Sequence, residues 1–124
     1  MISQPLSEDE NRNSGKYSID RKLFERYIQE GKPYLNPKLK ITDMCRQLGT
    51  NRSYLSTFIN REYGMNFSRY INRLRLEELE RLRTDPAQKG VKAMELIQHA
   101  GFNSYRSYLR TKKMEDEASI IELS

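Results

Sequence analysis

Tryptophan is absent from this chain, and cysteine and histidine occur once each. A single cysteine cannot close a disulfide within the chain, and it excludes a zinc site built from cysteines. The lone His99 cannot supply a metal cluster. No run of about 18 apolar residues exists, so no stretch reads as a membrane-spanning helix. The opening MISQPLSEDENRNSGK is polar and lacks the apolar core of a secretory signal. These absences fit a reducing, cytoplasmic setting. No nucleophile–base pair or phosphate-cradling loop is evident either, so the expectation is a protein without catalysis and without a cofactor.

At 124 residues the chain has room for one compact domain, or for two very small ones sharing a helix. Its formal net charge is +5, and the distribution is uneven. Residues 20–113 hold 20 Lys/Arg against 10 Asp/Glu, whereas 114–124 hold four acidic groups and no basic one. A basic body invites a polyanionic partner, although solvated helix faces would give the same composition.

Residues 1–19 show little periodicity and read as a flexible lead or linker. Asp20 is placed to cap a helix over 21–30, with Leu23, Phe24, Tyr27 and Ile28 on one face and Gly31 and Pro33 to end it. KPYLNPKLK, with two prolines, reads as an extended connector whose Tyr34, Leu35 and Leu39 cover the end of a core. Thr42 is the expected N-cap of a second helix, with Asp43 in its first turn and Met44, Cys45 and Leu48 facing inward. Gly49 supplies a bend, Asn51 caps a third helix, and Tyr54, Leu55, Phe58 and Ile59 form its apolar stripe. Gly64 suits the position just past that helix. Residues 67–83 read as the longest helix, about 25 Å in length at 1.5 Å per residue.

The stretch ITDMCRQLGTNRSYLSTFINREYG therefore reads as a helix-turn-helix, in which the small Cys45 lets the helices cross closely. The place of Cys45 on the inner face of the second helix reads as that of a packed small hydrophobe rather than a redox sensor. A weaker copy follows in AMELIQHAGFNSYRSYLRTKK when Gly49 is set on Gly101, an offset of 52. Ser104 then caps a last helix from 105 to about 113. The expected fold is all-α: residues 20–66 a first helix-turn-helix subdomain, 67–83 a linker helix, 84–113 a second and less complete subdomain, and 114–124 an acidic tail.

LGTNRSYLSTFINREYG, the run YINRLRLEEL and HAGFNSYRSY together resemble the DNA-binding domain of AraC/XylS-family bacterial transcription regulators. The likeness covers roughly residues 24–113. In that family Gly-Phe before a polar cap marks the second unit, matched by Gly101-Phe102-Asn103-Ser104, and an Arg of the linker helix is matched by Arg75. The resemblance implies two recognition helices entering neighbouring major-groove segments of promoter DNA, with RNA polymerase a second candidate partner. It also implies that the chain is either the end of a larger regulator, whose remainder would be a partner, or a small stand-alone protein. Three features depart from the family pattern. Ile97 stands where a small residue is usual, the aromatic before the closing Lys-Lys is missing after Thr111, and MEDEASIIELS replaces a Gly-x-x-Pro ending. These departures predict a second unit short of core, with acidic groups near its DNA side.

Base reading is expected of Arg52, Ser53, Ser56, Thr57 and Asn60 in the first unit, because short polar groups and arginine match base edges. In the second unit the resemblance assigns Tyr105, Arg106 and Arg110 to the same role. Phosphate contacts are expected from Asn51, Arg61, Arg73, Asn103, Ser104, Lys112 and Lys113. Arg73 and Arg75 can instead pair internally with Glu77, Glu78 or Glu80. The principal reading is sequence-specific binding of double-stranded DNA for transcription regulation. The alternative is a protein-interaction or regulatory fragment on the same scaffold that has weak or lost DNA binding.

Overall fold

Asp20 opens the first helix as expected, its carboxylate accepting the Lys22 backbone N–H at 2.9 Å. The computed structural model describes residues 18–123, all helical or connecting, so most of the expected lead over 1–19 lies outside the described residues. Helix α1 spans Arg21–Arg26 and widens into a π-helical turn over Tyr27–Gly31. A 3-10 turn at Pro33–Leu35 precedes α2 (Ile41–Leu48), α3 (Arg52–Tyr63) and α4 (Phe67–Thr84). After a 3-10 turn at Pro86–Gln88 come α5 (Ala93–His99) and α6 (Tyr105–Leu123). No helix among the described residues is long and apolar enough to cross a membrane.

The chain forms two compact units. Among the described residues, the first holds those up to Lys32 with Leu39–Phe67, and the second holds Pro33–Lys38 with those from Ser68 on. The six-residue connector thus leaves the first unit, packs with the second and returns. Helix α4 belongs, except for Phe67, to the second unit.

In the first unit Phe24, Ile28, Met44, Cys45, Leu55, Phe58 and Ile59 are buried. The Phe24 and Phe58 rings lie 5.0 Å apart, and Tyr63 adds its ring 5.9 Å from Phe24. Leu23 departs from the expected stripe, being 53% exposed, because the turn of α1 places its neighbour Phe24 on the core side. The Thr42 cap is also corrected. Helix α2 starts at Ile41 with Lys40 in the capping position, and Asp43 reaches back to accept the Lys40 backbone N–H at 2.9 Å. A carboxylate on the third residue of the helix does the work assigned to a hydroxyl.

The second unit has its own core of Leu79, Leu82, Leu96, Ile97, Ala100, Phe102 and Tyr108, with Leu76 and Val91 against it. Ile97, read from the family pattern as a lost support, is 2% exposed and supplies bulk to this core. Thr111 is buried at the end of the stripe where an aromatic was missed. The expected tail is corrected as well. Helix α6 continues without a break through MEDEASIIEL, and its 19 residues exceed the 18 of α4. That stretch contains no Gly or Pro to stop a helix, and Lys112 pairs with Asp116 one turn on at 2.9 Å.

The acidic stretch also ties α6 to α4. Glu115, only 18% exposed, accepts from Arg69 Nε at 2.9 Å and lies 3.8 Å from Arg73. The expected internal partners of Arg73 and Arg75 on α4 are therefore wrong. Glu78 is held by Arg81, and Glu80 lies near Arg83. Arg75 instead donates to the backbone carbonyls of Tyr34 at 2.8 Å and Asn36 at 2.9 Å, and to Asn72 Oδ1 at 3.0 Å. This guanidinium holds the proline-rich connector to the second unit. Burial lowers its pKa, yet an arginine remains cationic.

Candidate nucleic-acid interface

Each unit builds a turn that points the second helix of its motif outward. In the first, Gly49 takes φ +66, and the N–H of Thr50 bonds to the Cys45 carbonyl at 3.1 Å. Asn51 then opens α3, its side-chain oxygen accepting the Tyr54 N–H at 2.9 Å. In the second, Gly101 takes φ +103, and Phe102 N–H bonds to the Ile97 carbonyl at 3.2 Å. Ser104 and Ser107 cap α6 reciprocally: each backbone N–H donates to the other's hydroxyl, at 3.2 and 3.1 Å.

Arg52, Ser53, Ser56, Thr57 and Asn60 are all exposed on α3. At about 100° per residue they span an arc of roughly 140°, turned away from the buried Leu55, Phe58 and Ile59. The side chains of Ser53, Ser56, Thr57 and Asn60 make no hydrogen bond among the described residues, so their donors and acceptors are open to a ligand. Arg52 forms no ion pair there either. It lies near enough to Cys45 to lower the thiol pKa slightly, while burial pushes it up more strongly. The buried thiol therefore stays protonated near neutral pH.

On α6, Tyr105, Arg106 and Arg110 are exposed, while Tyr108 and Thr111 face the core. Arg106 and Arg110 have no partner among the described residues. The phosphate candidates divide into two groups. Arg61 bonds to Glu62 at 3.2 Å, Arg73 lies 3.8 Å from Glu115, and Lys112 is held by Asp116. Lys113 is exposed and unpaired, Asn103 is exposed, and Asn51 and Ser104 spend side-chain oxygens on their caps. A cap side chain fixes the helix end, whose remaining N–H groups can still approach a phosphate.

Setting glycine on glycine shifts the whole outward face by one residue and brings the buried Tyr108 to the place of Ser56. The second turn is one residue longer, since Asn51 follows Gly49 by two positions while Ser104 follows Gly101 by three. Counted from the caps, the helices align at an offset of 53. The face of Arg52, Ser53, Ser56, Thr57 and Asn60 then corresponds to Tyr105, Arg106, Leu109, Arg110 and Lys113, all exposed. Leu109 had been given no role, and Lys113, expected at phosphate, falls on this outer face. The capping residues are the signal that sets this register.

No family model and no curated protein matches the chain. Among solved structures, the fold is similar to the C-terminal domain of the two-component response regulator YesN from Fusobacterium nucleatum. The TM-score is 0.62 at 20% identity, over 77% of this chain and 93% of that one. It is also similar to a protein of unknown function from Listeria innocua, with a TM-score of 0.61 at 20% identity, over 78% of this chain and 87% of that one. At that identity the likeness establishes the all-α, helix-turn-helix type of fold.

Proposed function

We propose that the chain is a sequence-specific double-stranded-DNA-binding module of a transcription regulator, of the AraC/XylS type. The observation that carries this reading is the outer face of α3. There an arginine and four short polar side chains, none of them ion-paired, sit on a helix fixed by a cap at one end and a packed core beneath. Such a face matches base edges in a major groove. The similarity to the end domain of a response regulator supports the same reading, as does the basic balance of residues 20–113. Arg52 and the outer face of α3 read bases, and the outer face of α6 reads a second stretch. Lys113 and the helix N-termini hold phosphates.

Selection of bound sites from random-sequence duplexes tests this directly, with affinity then followed from 50 to 200 mM salt. About six phosphate contacts would cost roughly 10³-fold over that range. A flat response, or no selected sequence, would reject the reading. Arg52→Ala should cost about 1–3 kcal/mol at one base position and relax preference there. An equal loss on every sequence would make Arg52 a phosphate contact only.

One observation favours the alternative, a protein-interaction fragment with weak DNA binding. Arg61, Arg73 and Lys112 each already face a carboxylate of this chain. Under that reading the selection yields no enriched site.

A further inference from the structure

On the outer face of α6, four of the five positions carry groups suited to polar or charged partners: Tyr105, Arg106, Arg110 and Lys113. The fifth is Leu109, 46% exposed, with no hydrogen-bonding group at all. At about 100° per residue it lies within the arc bounded by Tyr105 and Arg110, roughly 40° from Tyr105. The equivalent position on α3 is Ser56, which can donate and accept. The two helices thus differ in chemistry at a matched place. Leu109 is not needed by the core, whose side of α6 is supplied by Tyr108 and Thr111.

We propose that Leu109 is a specificity residue of the second unit, seating the 5-methyl group of a thymine. This rests on the DNA-binding reading above. The major-groove edge of an A·T pair offers one apolar feature, the thymine methyl, and an aliphatic side chain recognises it by contact alone. Tyr105, one helical turn earlier and also 46% exposed, brings a second side chain with an apolar body to the same face. Arg106 and Arg110 bring positive charge to the same face. At this matched position the second unit therefore selects a methyl-bearing pyrimidine where Ser56 of the first offers hydrogen-bonding groups.

Deoxyuridine keeps every hydrogen-bonding group of thymidine and lacks only the methyl, which makes it the probe. Each dT of a selected duplex is replaced singly by dU, and affinity is measured with the full chain. The wild type should lose about fourfold at one position, the factor that one buried methyl-sized group carries. Leu109→Ala should bind the dT and dU duplexes equally, whereas Leu109→Met should keep the preference. Arg52→Ala should also keep it, since that residue serves the other unit. If sites are selected but every dU replacement is neutral, or Leu109→Ala still prefers dT, the inference fails while the DNA-binding reading stands. If no duplex is bound, both fail.

Discussion

The two helix-turn-helix units turn the chain with a glycine each, but the demands on those glycines differ. At Gly49 only the backbone angle matters: a Cβ there would meet nothing within 4 Å. At Gly101 a Cβ would collide with the Tyr34 carbonyl oxygen and come within 3.0 Å of Leu35 Cα and 3.1 Å of Arg75 Nε. The second turn is therefore closed against the returning connector, while the first stands open. Alanine should separate the two. Gly49→Ala should cost about 1–2 kcal/mol, the strain of a left-handed alanine. Gly101→Ala adds a collision with backbone, which raises the loss to roughly 3–5 kcal/mol. Urea unfolding of both variants reads the difference, and equal losses would show that the connector gives way freely.

Arg75 sharpens the same contrast, because the first unit has no comparable bond between a half-buried guanidinium and backbone carbonyls among its described residues. Arg75→Met keeps the aliphatic stem but leaves the Tyr34 carbonyl without its donor, costing about 2–3 kcal/mol. The Asn36 carbonyl is exposed and turns to water. Arg75→Lys should recover little, since one ammonium cannot span two carbonyls and Asn72 as the planar fork does. Full recovery by lysine would mean that charge, not geometry, holds the connector.

The helix caps give a smaller and more even effect. Asn51→Ala removes the acceptor for Tyr54 N–H and should cost about 1 kcal/mol, while Asn51→Ser should be nearly silent. Ser104→Ala should also cost about 1 kcal/mol, although the Ser107 hydroxyl still serves the residue 104 N–H. A silent Asn51→Ala would show that water replaces the cap.

Most of the helices were legible from apolar spacing and from capping residues, and the first unit most fully. Phe24, Met44, Leu55, Phe58 and Ile59 announce their burial by period. The second unit was harder for two physical reasons. Ile97 and Thr111 were judged against a pattern of sizes, yet a core accepts different shapes provided the volume is filled. Glu115 was judged by its charge, although its role depends on Arg69 and Arg73, 46 and 42 positions earlier in the chain. Long-range pairings of that kind leave no periodic trace. Leu109 on the outer face of α6 was given no role because an aliphatic side chain carries no donor, acceptor or charge to mark it as a contact.

The smallest effect concerns acid, and it acts on the first unit through a surface group. Glu25 accepts hydrogen bonds from Arg21 Nε and from the Tyr63 hydroxyl, both at 3.0 Å. The Arg21 bond first, and then the Tyr63 bond, lower its pKa below the ordinary 4.5. A carboxyl depressed in the folded state contributes its stability above the unfolded pKa and loses it as pH falls through the folded one. The contribution is thus complete above about pH 4.5 and disappears below it, as Arg21 and Tyr63 lose their charged acceptor. Arg75 has no such dependence, since its bonds are to carbonyls and it stays cationic throughout the acid range. Glu25→Gln should therefore make the first unit slightly less stable at neutral pH and flatten its decline below pH 4.5. Amide spectra of Phe24 and Tyr63 followed through an acid titration would show this. An unchanged acid midpoint in Glu25→Gln would mean that screening by water leaves the latch without weight.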